Sequence, residues 1–202
     1  MKIACIGRNY VAHIEELGNE RPDSPVIFLK PDTAIIRNND PFYYPDFSKD
    51  IHHEIELVVK ISQLGKSIET EFAHKYYNEI GLGVDFTARD LQAKAKTKGL
   101  PWDLAKSFNG SAPISNFLNK DQLDLSNTSF SLLINEQVVQ QGNTSHMLYS
   151  VDEIISYISK FITLKKGDLI FTGTPKGVGP VQIGDRLVGF IENQKMLDFE
   201  IR

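Results

Sequence analysis

A mixed α+β fold built mainly from antiparallel strands is what this sequence predicts, and three observations predict it. Short apolar stretches of strand type, bounded by Gly, Pro, Asn and Asp, outnumber the helical ones. The helices are scattered and do not alternate with strands, which argues against a doubly wound βαβ sheet. No internal repeat, low-complexity tract or linker divides the 202 residues, so one domain spanning 1–202 is expected.

In chain order, residues 2–7 read as a strand ending at Gly7. A helix over 10–17 follows, with Asn9 placed to cap it, Gly18 to stop it, and Val11, Ile14 and Leu17 as its apolar line. Residues 26–31 form a strand closed by Pro31; 33–37 and 42–44 are shorter strands around the turn Asn38-Asn39-Asp40-Pro41. One strand over 52–61 is expected from alternation: His53, Ile55, Leu57, Val59 and Ile61 face one way, and His52, Glu54, Glu56, Val58 and Lys60 the other. Residues 68–78 read as a helix with Phe72, Tyr76 and Tyr77 inward, and 79–86 as a strand with Asp85 near its exit. Thr87 is placed to cap a helix over 88–98 that Gly99 and Pro101 end. The stretch 100–117 is loop-like with short ordered pieces. Residues 129–134 and 137–141 form a hairpin turning at Asn135-Glu136. Ser150 or Asp152 opens a helix to Phe161 with Ile154, Ile155, Ile158 and Phe161 at helical spacing. A strand over 169–172 leads to a glycine-rich loop, and strands near 186–192 and 196–202 close the chain around Asn193-Gln194.

Composition narrows the function. A net charge of -4 leaves no electrostatic footprint for nucleic acid or an anionic membrane. No apolar run approaches a membrane span. The single cysteine, Cys5, excludes an intramolecular disulfide and a Cys-based zinc cluster, so a reducing, cytoplasmic location is expected.

Two pairs of residues carry chemistry. Glu54 and Glu56 stand on one strand face with Cα atoms roughly 6.6 Å apart. Two carboxylates that close need a cation, a shared proton or open water. For an isolated Glu-x-Glu a solvated polar face is the ordinary reading; the sharper one is part of a site for a hard cation. His13 and Glu16, at i and i+3, are neighbours on a helix face: a surface pair in the plain reading, an imidazole oriented by a carboxylate in the functional one. The loop Gly173 to Gly179 fits neither the P-loop nor the G-x-G-x-x-G spacing. It reads as a pocket wall whose backbone N–H groups, with the Thr174 hydroxyl, can meet a carboxylate.

Six motifs occur in order: Gly7-Arg8-Asn9-Tyr10 with His13; Phe28-Leu29-Lys30-Pro31; His53-Glu54-Ile55-Glu56-Leu57; Asp85-Phe86-Thr87-Ala88-Arg89-Asp90; Lys106-Ser107-Phe108; and Thr172-Gly173-Thr174-Pro175-Lys176-Gly177-Val178-Gly179. With them the chain resembles the fumarylacetoacetate hydrolase family, in particular its small single-domain branch of acylpyruvate hydrolases and oxaloacetate decarboxylases. The resemblance implies a β-sandwich roll with peripheral helices, assembled as a homodimer. It implies that Glu54, Glu56 and Asp85 are ligands of magnesium or manganese, three hard oxygen donors that leave positions for a small 2-oxo acid substrate. Lys106 then faces the developing enolate, Gln92 and Thr174 stand on the substrate side, and His13 with Glu16 forms a dyad on a helix that resembles a mobile lid. Arg8, Lys30 and Arg89 fall on motif positions, and Arg8 and Lys30 are expected to bind substrate.

The implied reaction is cleavage of the C–C bond of a 3-acylpyruvate by water, giving pyruvate and a carboxylate, with oxaloacetate decarboxylation at the same electron sink. Two alternatives stand beside it. Relatives of this fold isomerise or hydrate unsaturated 2-oxo acids of the 2-hydroxyhepta-2,4-diene-1,7-dioate type, and a non-catalytic metabolite-binding module would keep the fold without the chemistry.

Overall fold

The first strand, β1 (Lys2–Gly7), leads into α1 (Val11–Glu16) and β2 (Val26–Pro31), after which the chain passes β3 (Ile35–Ile36) to β4 (Ile51–His53) and β5 (Ile55–Ile61). α2 (Thr70–Ala73) leads into β6 (Tyr77–Val84), β7 (Thr87–Ala88), α3 (Arg89–Lys98) and α4 (Asp103–Lys106). β8 (Ala112–Pro113) and β9 (Leu118–Asn119) precede the hairpin of β10 (Ser129–Ile134) and β11 (Gln137–Asn143). α5 (Val151–Phe161), β12 (Leu169–Phe171), β13 (Gly179–Pro180), β14 (Arg186–Ile191) and β15 (Gln194–Glu200) complete the order. The computed structural model describes residues 1–16, 18 and 20–202. Leu17, expected at the end of the first helix's apolar line, lies outside the described residues.

A six-stranded sheet of order β2-β1-β12-β5-β6-β9 carries the site. Its pairings are antiparallel except β1 with β12. A four-stranded antiparallel sheet, β11-β10-β14-β15, packs with it. This is the mixed, mainly antiparallel α+β architecture expected, with the helices at the edges.

β5 sits inside the larger sheet, and both its faces are covered. Ile55, Leu57, Val59 and Ile61 enter the main core with Leu82, Phe130, Leu132 and Leu187. Val58, on the opposite face, joins a second cluster with Ile3, Cys5 and Phe171. Burial of each such aliphatic side chain is worth about 1.5–3 kcal/mol, so the register of β5 is strongly held. That register puts Glu54 and Glu56 on the Val58 side, inside the protein. The solvated-face reading of the pair is therefore overturned: Glu54 is 6% exposed and Glu56 2%.

Local differences from expectation have identifiable causes. The strand expected over 52–61 is interrupted at Glu54, because β4 pairs with β7 and β13 while β5 pairs with β6 and β12. The helix expected over 68–78 shrinks to α2: Tyr77 already pairs with Ile61 in β6, and Phe72 is exposed. Asn9 does not cap α1. Its side chain accepts from the Tyr149 N–H at 2.9 Å and donates to the carbonyls of Tyr149 and Thr172 at 3.1 and 2.8 Å. Thr87 does not cap α3 either; it pairs with His52 in β7, and its hydroxyl donates to the Asp85 carbonyl. Strand 33–37 contracts to β3 after a 3-10 turn, and Phe42 makes only an isolated bridge to Ile201. The last hairpin turns at Glu192-Asn193, one residue earlier than expected. Elsewhere expectation holds. Asn135 and Glu136 adopt φ of 49° and 69° between β10 and β11. Ser150 caps α5 in a capping box with Glu153.

Candidate active site

Three carboxylates converge where β4, β5 and β6 end. Glu54 occupies the break between β4 and β5, Glu56 follows on β5, and Asp85 leaves β6 directly after Val84. The Asp85 N–H donates to the Glu54 carbonyl at 2.8 Å, which fixes the two strand ends together. One oxygen from each of Glu54, Glu56 and Asp85 lies within 4.8 Å of the others, and all three residues are buried.

Buried carboxylates must be paired, and these are. Lys106 Nζ, itself buried, bridges Glu54 Oε2 at 2.8 Å and Asp85 Oδ2 at 2.7 Å. Arg89 Nη2 meets Glu54 Oε1 at 2.6 Å, and its Nη1 donates to Gln92 Oε1 at 2.7 Å. Arg89 Nε is buried without a hydrogen-bond partner among the described residues. Glu56 is held differently, by the Gly173 N–H at 2.7 Å from Oε2. Burial would raise the Glu54 carboxyl, but the charges of Lys106 and Arg89 hold it well below the usual carboxylate range. Burial pushes Glu56 well above that range, and neighbouring Asp85 and Glu54 push it further. For Lys106 the desolvation that would lower its ammonium is outweighed by Asp85 and Glu54, so it stays protonated.

The donor set fits a hard divalent cation. It consists of carboxylate oxygens only, which suits magnesium or manganese over softer metals. The three buried carboxylates, with one oxygen of each within 4.8 Å of the others, form a cluster of like charge that a cation would relieve.

Around this floor a cleft is lined by Ile6, Gly7, Arg8, His13, Phe28, Arg89, Gln92, Lys96, Trp102, Lys106 and Thr174 together with the three carboxylates. Of the residues expected from the sequence, Arg8, His13, Gln92, Lys106 and Thr174 thus meet Glu54, Glu56 and Asp85 on one surface. Glu16 stands behind His13: its Oε2 lies 3.1 Å from His13 Nδ1, and its Oε1 accepts the Gly177 N–H at 2.9 Å. The glycine loop does meet carboxylates through its N–H groups, but they are the protein's own Glu56 and Glu16. Gly173, at φ 100°, and Gly177, at φ 96°, are both left-handed. A Cβ on Gly177 would stand 2.3 Å from the Val139 carbonyl oxygen.

Lys30 is a correction. It is expected on the substrate side, yet it is 1% exposed and absent from the cleft wall. Its Nζ pairs with Asp85 Oδ1 at 2.8 Å and donates to Ser111 Oγ at 2.9 Å, and to the carbonyls of Lys106, Ser111 and Phe86. Lys30 therefore supports Asp85 and the Lys106 backbone from beneath.

Three contributors were missed from the sequence. Lys96 and Trp102 line the mouth of the cleft. Gln140, buried on β11, is the third. Its Oε1 accepts from the Ile55 N–H and from His53 Nδ1, both at 2.9 Å. Its Nε2 donates to Thr174 Oγ1 at 2.9 Å and to the Pro175 carbonyl at 3.0 Å. These contacts fix His53 as the Nδ1–H tautomer and leave the Thr174 hydroxyl proton for the cleft. No motif marks Gln140, which lies 85 residues from Ile55 in sequence. Lys96 did have a signal: it follows Arg89 and Gln92 at helical spacing.

Residues 2–200 match the family described as Fumarylacetoacetate (FAA) hydrolase C-terminal. A Bos taurus protein named as a mitochondrial oxaloacetate tautomerase is 42% identical over 98% of this chain and 90% of its own length. A mitochondrial oxaloacetate decarboxylase of Dictyostelium discoideum is 44% identical over 91% of this chain and 85% of its own. Among solved structures, fumarylpyruvate hydrolase from Pseudomonas aeruginosa, crystallised with Mn2+ and pyruvate, superposes with a TM-score of 0.94 at 35% identity, covering 100% of this chain and 89% of that one.

Proposed function

The chain belongs to the fumarylacetoacetate hydrolase family, and from that premise we propose that it is a divalent-metal-dependent enzyme of small 2-oxo acids, hydrolysing the C–C bond of acylpyruvates and decarboxylating oxaloacetate. One observation carries the reading: the three gathered carboxylates, the Lys106 ammonium and His13, backed by Glu16, border a single cleft. In this reading Glu54, Glu56 and Asp85 hold magnesium or manganese, which when bound polarises the carboxylate and keto oxygens of the substrate.

The chain's own groups do the rest. Lys106 donates an N–H to the oxygen on which enolate charge builds, an interaction stronger in the transition state than in the ground state. Gln92, Thr174, Arg8 and Arg89 orient the 2-oxo acid end; the Arg89 Nε–H, without a hydrogen-bond partner among the described residues, is one donor for it. His13, with Nδ1–H held by Glu16, takes a proton through Nε2 from the water that attacks the distal carbonyl. The C–C bond then breaks, its electron pair passes to the enolate, and protonation of that carbon gives pyruvate beside the carboxylic acid. Oxaloacetate uses the same sink by losing carbon dioxide, with no attacking water.

Tautomerisation of oxaloacetate, the reaction in the Bos taurus relative's name, is not among the reactions expected from the sequence. It moves one proton between carbon and oxygen of the same enolate, so the floor of the site suffices for it. The single catalytic domain, the homodimer and the cytoplasmic location belong to the same proposal, and light scattering and cell fractionation check the last two. Among the described residues no helix is long and apolar enough to cross a membrane.

The test is an activity panel over acetylpyruvate, longer acylpyruvates, oxaloacetate and a hydroxymuconate-type dienoate, each with Mg2+ or Mn2+ and after chelation. Cation-dependent turnover of the acylpyruvates and oxaloacetate is expected. Turnover of the dienoate alone would favour the isomerase, and full activity after chelation would overturn the assignment.

A further inference from the structure

Helix α3 feeds a row of polar side chains into the cleft wall. Arg89, Gln92 and Lys96 recur at intervals of three and four residues, which stacks them along one face of the helix, and all three line the cleft. The inner two are tied together and to the floor through Glu54. Lys96 is the outer member, about 6 Å beyond Gln92 along the axis at 1.5 Å per residue.

Three cations of the floor are matched by acids: Arg89 by Glu54, Lys106 by Glu54 and Asp85, Lys30 by Asp85. Lys96 belongs to none of these pairs. Its ammonium lies over the Trp102 ring, 5.5 Å from the centroid, and that ring is itself tilted against Phe28 at 6.1 Å. Desolvation at the cleft mouth, then the guanidiniums of Arg89 and Arg8, pull the Lys96 ammonium below the ordinary lysine range, and Glu54 opposes them more weakly. A cation held on an aromatic face among other cations, at the open end of a cleft whose floor takes a 2-oxo acid, is arranged for an incoming anion.

We propose that Lys96, seated on Trp102, is the residue that pairs with the distal carboxylate of a dicarboxylic substrate such as oxaloacetate, and so sets the preference for a charged over an uncharged substrate tail. The inference rests on the 2-oxo acid reading of the site and adds the residue that selects the substrate tail. Lys96 acts in specificity, away from the reacting atoms.

Calorimetric titration of the Mn2+-loaded protein tests it, using 2-oxoglutarate and 2-oxopentanoate, five-carbon 2-oxo acids whose far ends differ only in a carboxylate. The wild type should bind 2-oxoglutarate about tenfold more tightly, a difference that shrinks as salt is added. Lys96→Met should bring the two ligands to parity while leaving 2-oxopentanoate unchanged, and Lys96→Arg should keep most of the preference. A wild type without preference, a preference that survives Lys96→Met, or an equal weakening of both ligands would overturn the proposal. Failure of 2-oxopentanoate and oxalate to bind at all would overturn the 2-oxo acid reading and the inference with it.

Discussion

On the floor of the cleft, Glu54, Glu56 and Asp85 come from strand ends hydrogen-bonded to one another, and every charge has a partner fixed by a separate element: Lys106 from α4, Arg89 from α3, Lys30 from β2, the Gly173 N–H from the glycine loop. On the roof, His13 and Glu16 ride on a six-residue helix, and among the described residues the Gly177 N–H ties Glu16 to the glycine loop. The floor is over-determined, so its electrostatics are set before any substrate arrives. The roof dyad stands on a separate element and makes none of the floor's carboxylate, Lys106 and Arg89 contacts, so it can be removed while those contacts are kept. Floor residues should therefore serve every reaction of the site, and roof residues only the one that needs a positioned water.

The largest effect should come from the floor itself. Glu56→Ala is expected to abolish Mn2+ binding in calorimetry and to cut kcat/KM by about 10³-fold or more on every substrate. Almost as severe, and aimed at the floor's support, is Lys30→Met. It leaves Asp85 without one of its counter-charges and should lower unfolding stability by about 3–5 kcal/mol in urea. A change in KM at unchanged stability would instead return Lys30 to the substrate. On the roof, His13→Ala should reduce acylpyruvate hydrolysis about 10²- to 10⁴-fold while oxaloacetate decarboxylation stays within about tenfold. Equal loss of both would erase the distinction between floor and roof.

Gly177→Ala sharpens the same distinction more gently. A side chain at φ 96° that meets the Val139 carbonyl must shift the tie to Glu16, at a cost of about 1–3 kcal/mol. Hydrolysis should fall further than decarboxylation. Smallest of all is a surface pair outside both regions. Hydrogen bonds from Arg186 and Lys195 hold the Asp198 carboxyl down at about 2. Its folded-state value lies below the unfolded value of about 3.9, so its stabilisation is present above about pH 4 and lost as pH falls toward 2. Thermal melts of Asp198→Asn should show a deficit of at most about 1 kcal/mol at pH 6 that vanishes near pH 2.

What was legible in the sequence follows the same division. Alternation along β5 put Glu54 and Glu56 on one face, and because the sheet is covered on both sides that face proved to be interior. Local turn chemistry was legible too: the Asn135-Glu136 hairpin and the Ser150–Glu153 capping box need only neighbours in sequence. Long-range competition was not. Asn9 and Thr87 have the side chains of helix caps, but Tyr149, Thr172 and Asp85 claim their hydrogen bonds. Tyr76 stands four residues from Phe72, a helical spacing, yet the next residue, Tyr77, pairs with Ile61 of β5 and takes the chain into a strand. Lys30 and Lys106 carry no local sign that they are buried. Only the carboxylates that burial brings beside them make it tolerable.

The central claim is that the floor is a divalent-cation site on which a 2-oxo acid sits. Calorimetric titration of oxalate into the protein, with Mn2+ or Mg2+ present and again after chelation, tests it most directly. Saturable binding with one oxalate per chain only when the cation is present is the predicted result. Oxalate binding of equal strength with and without the cation would contradict it.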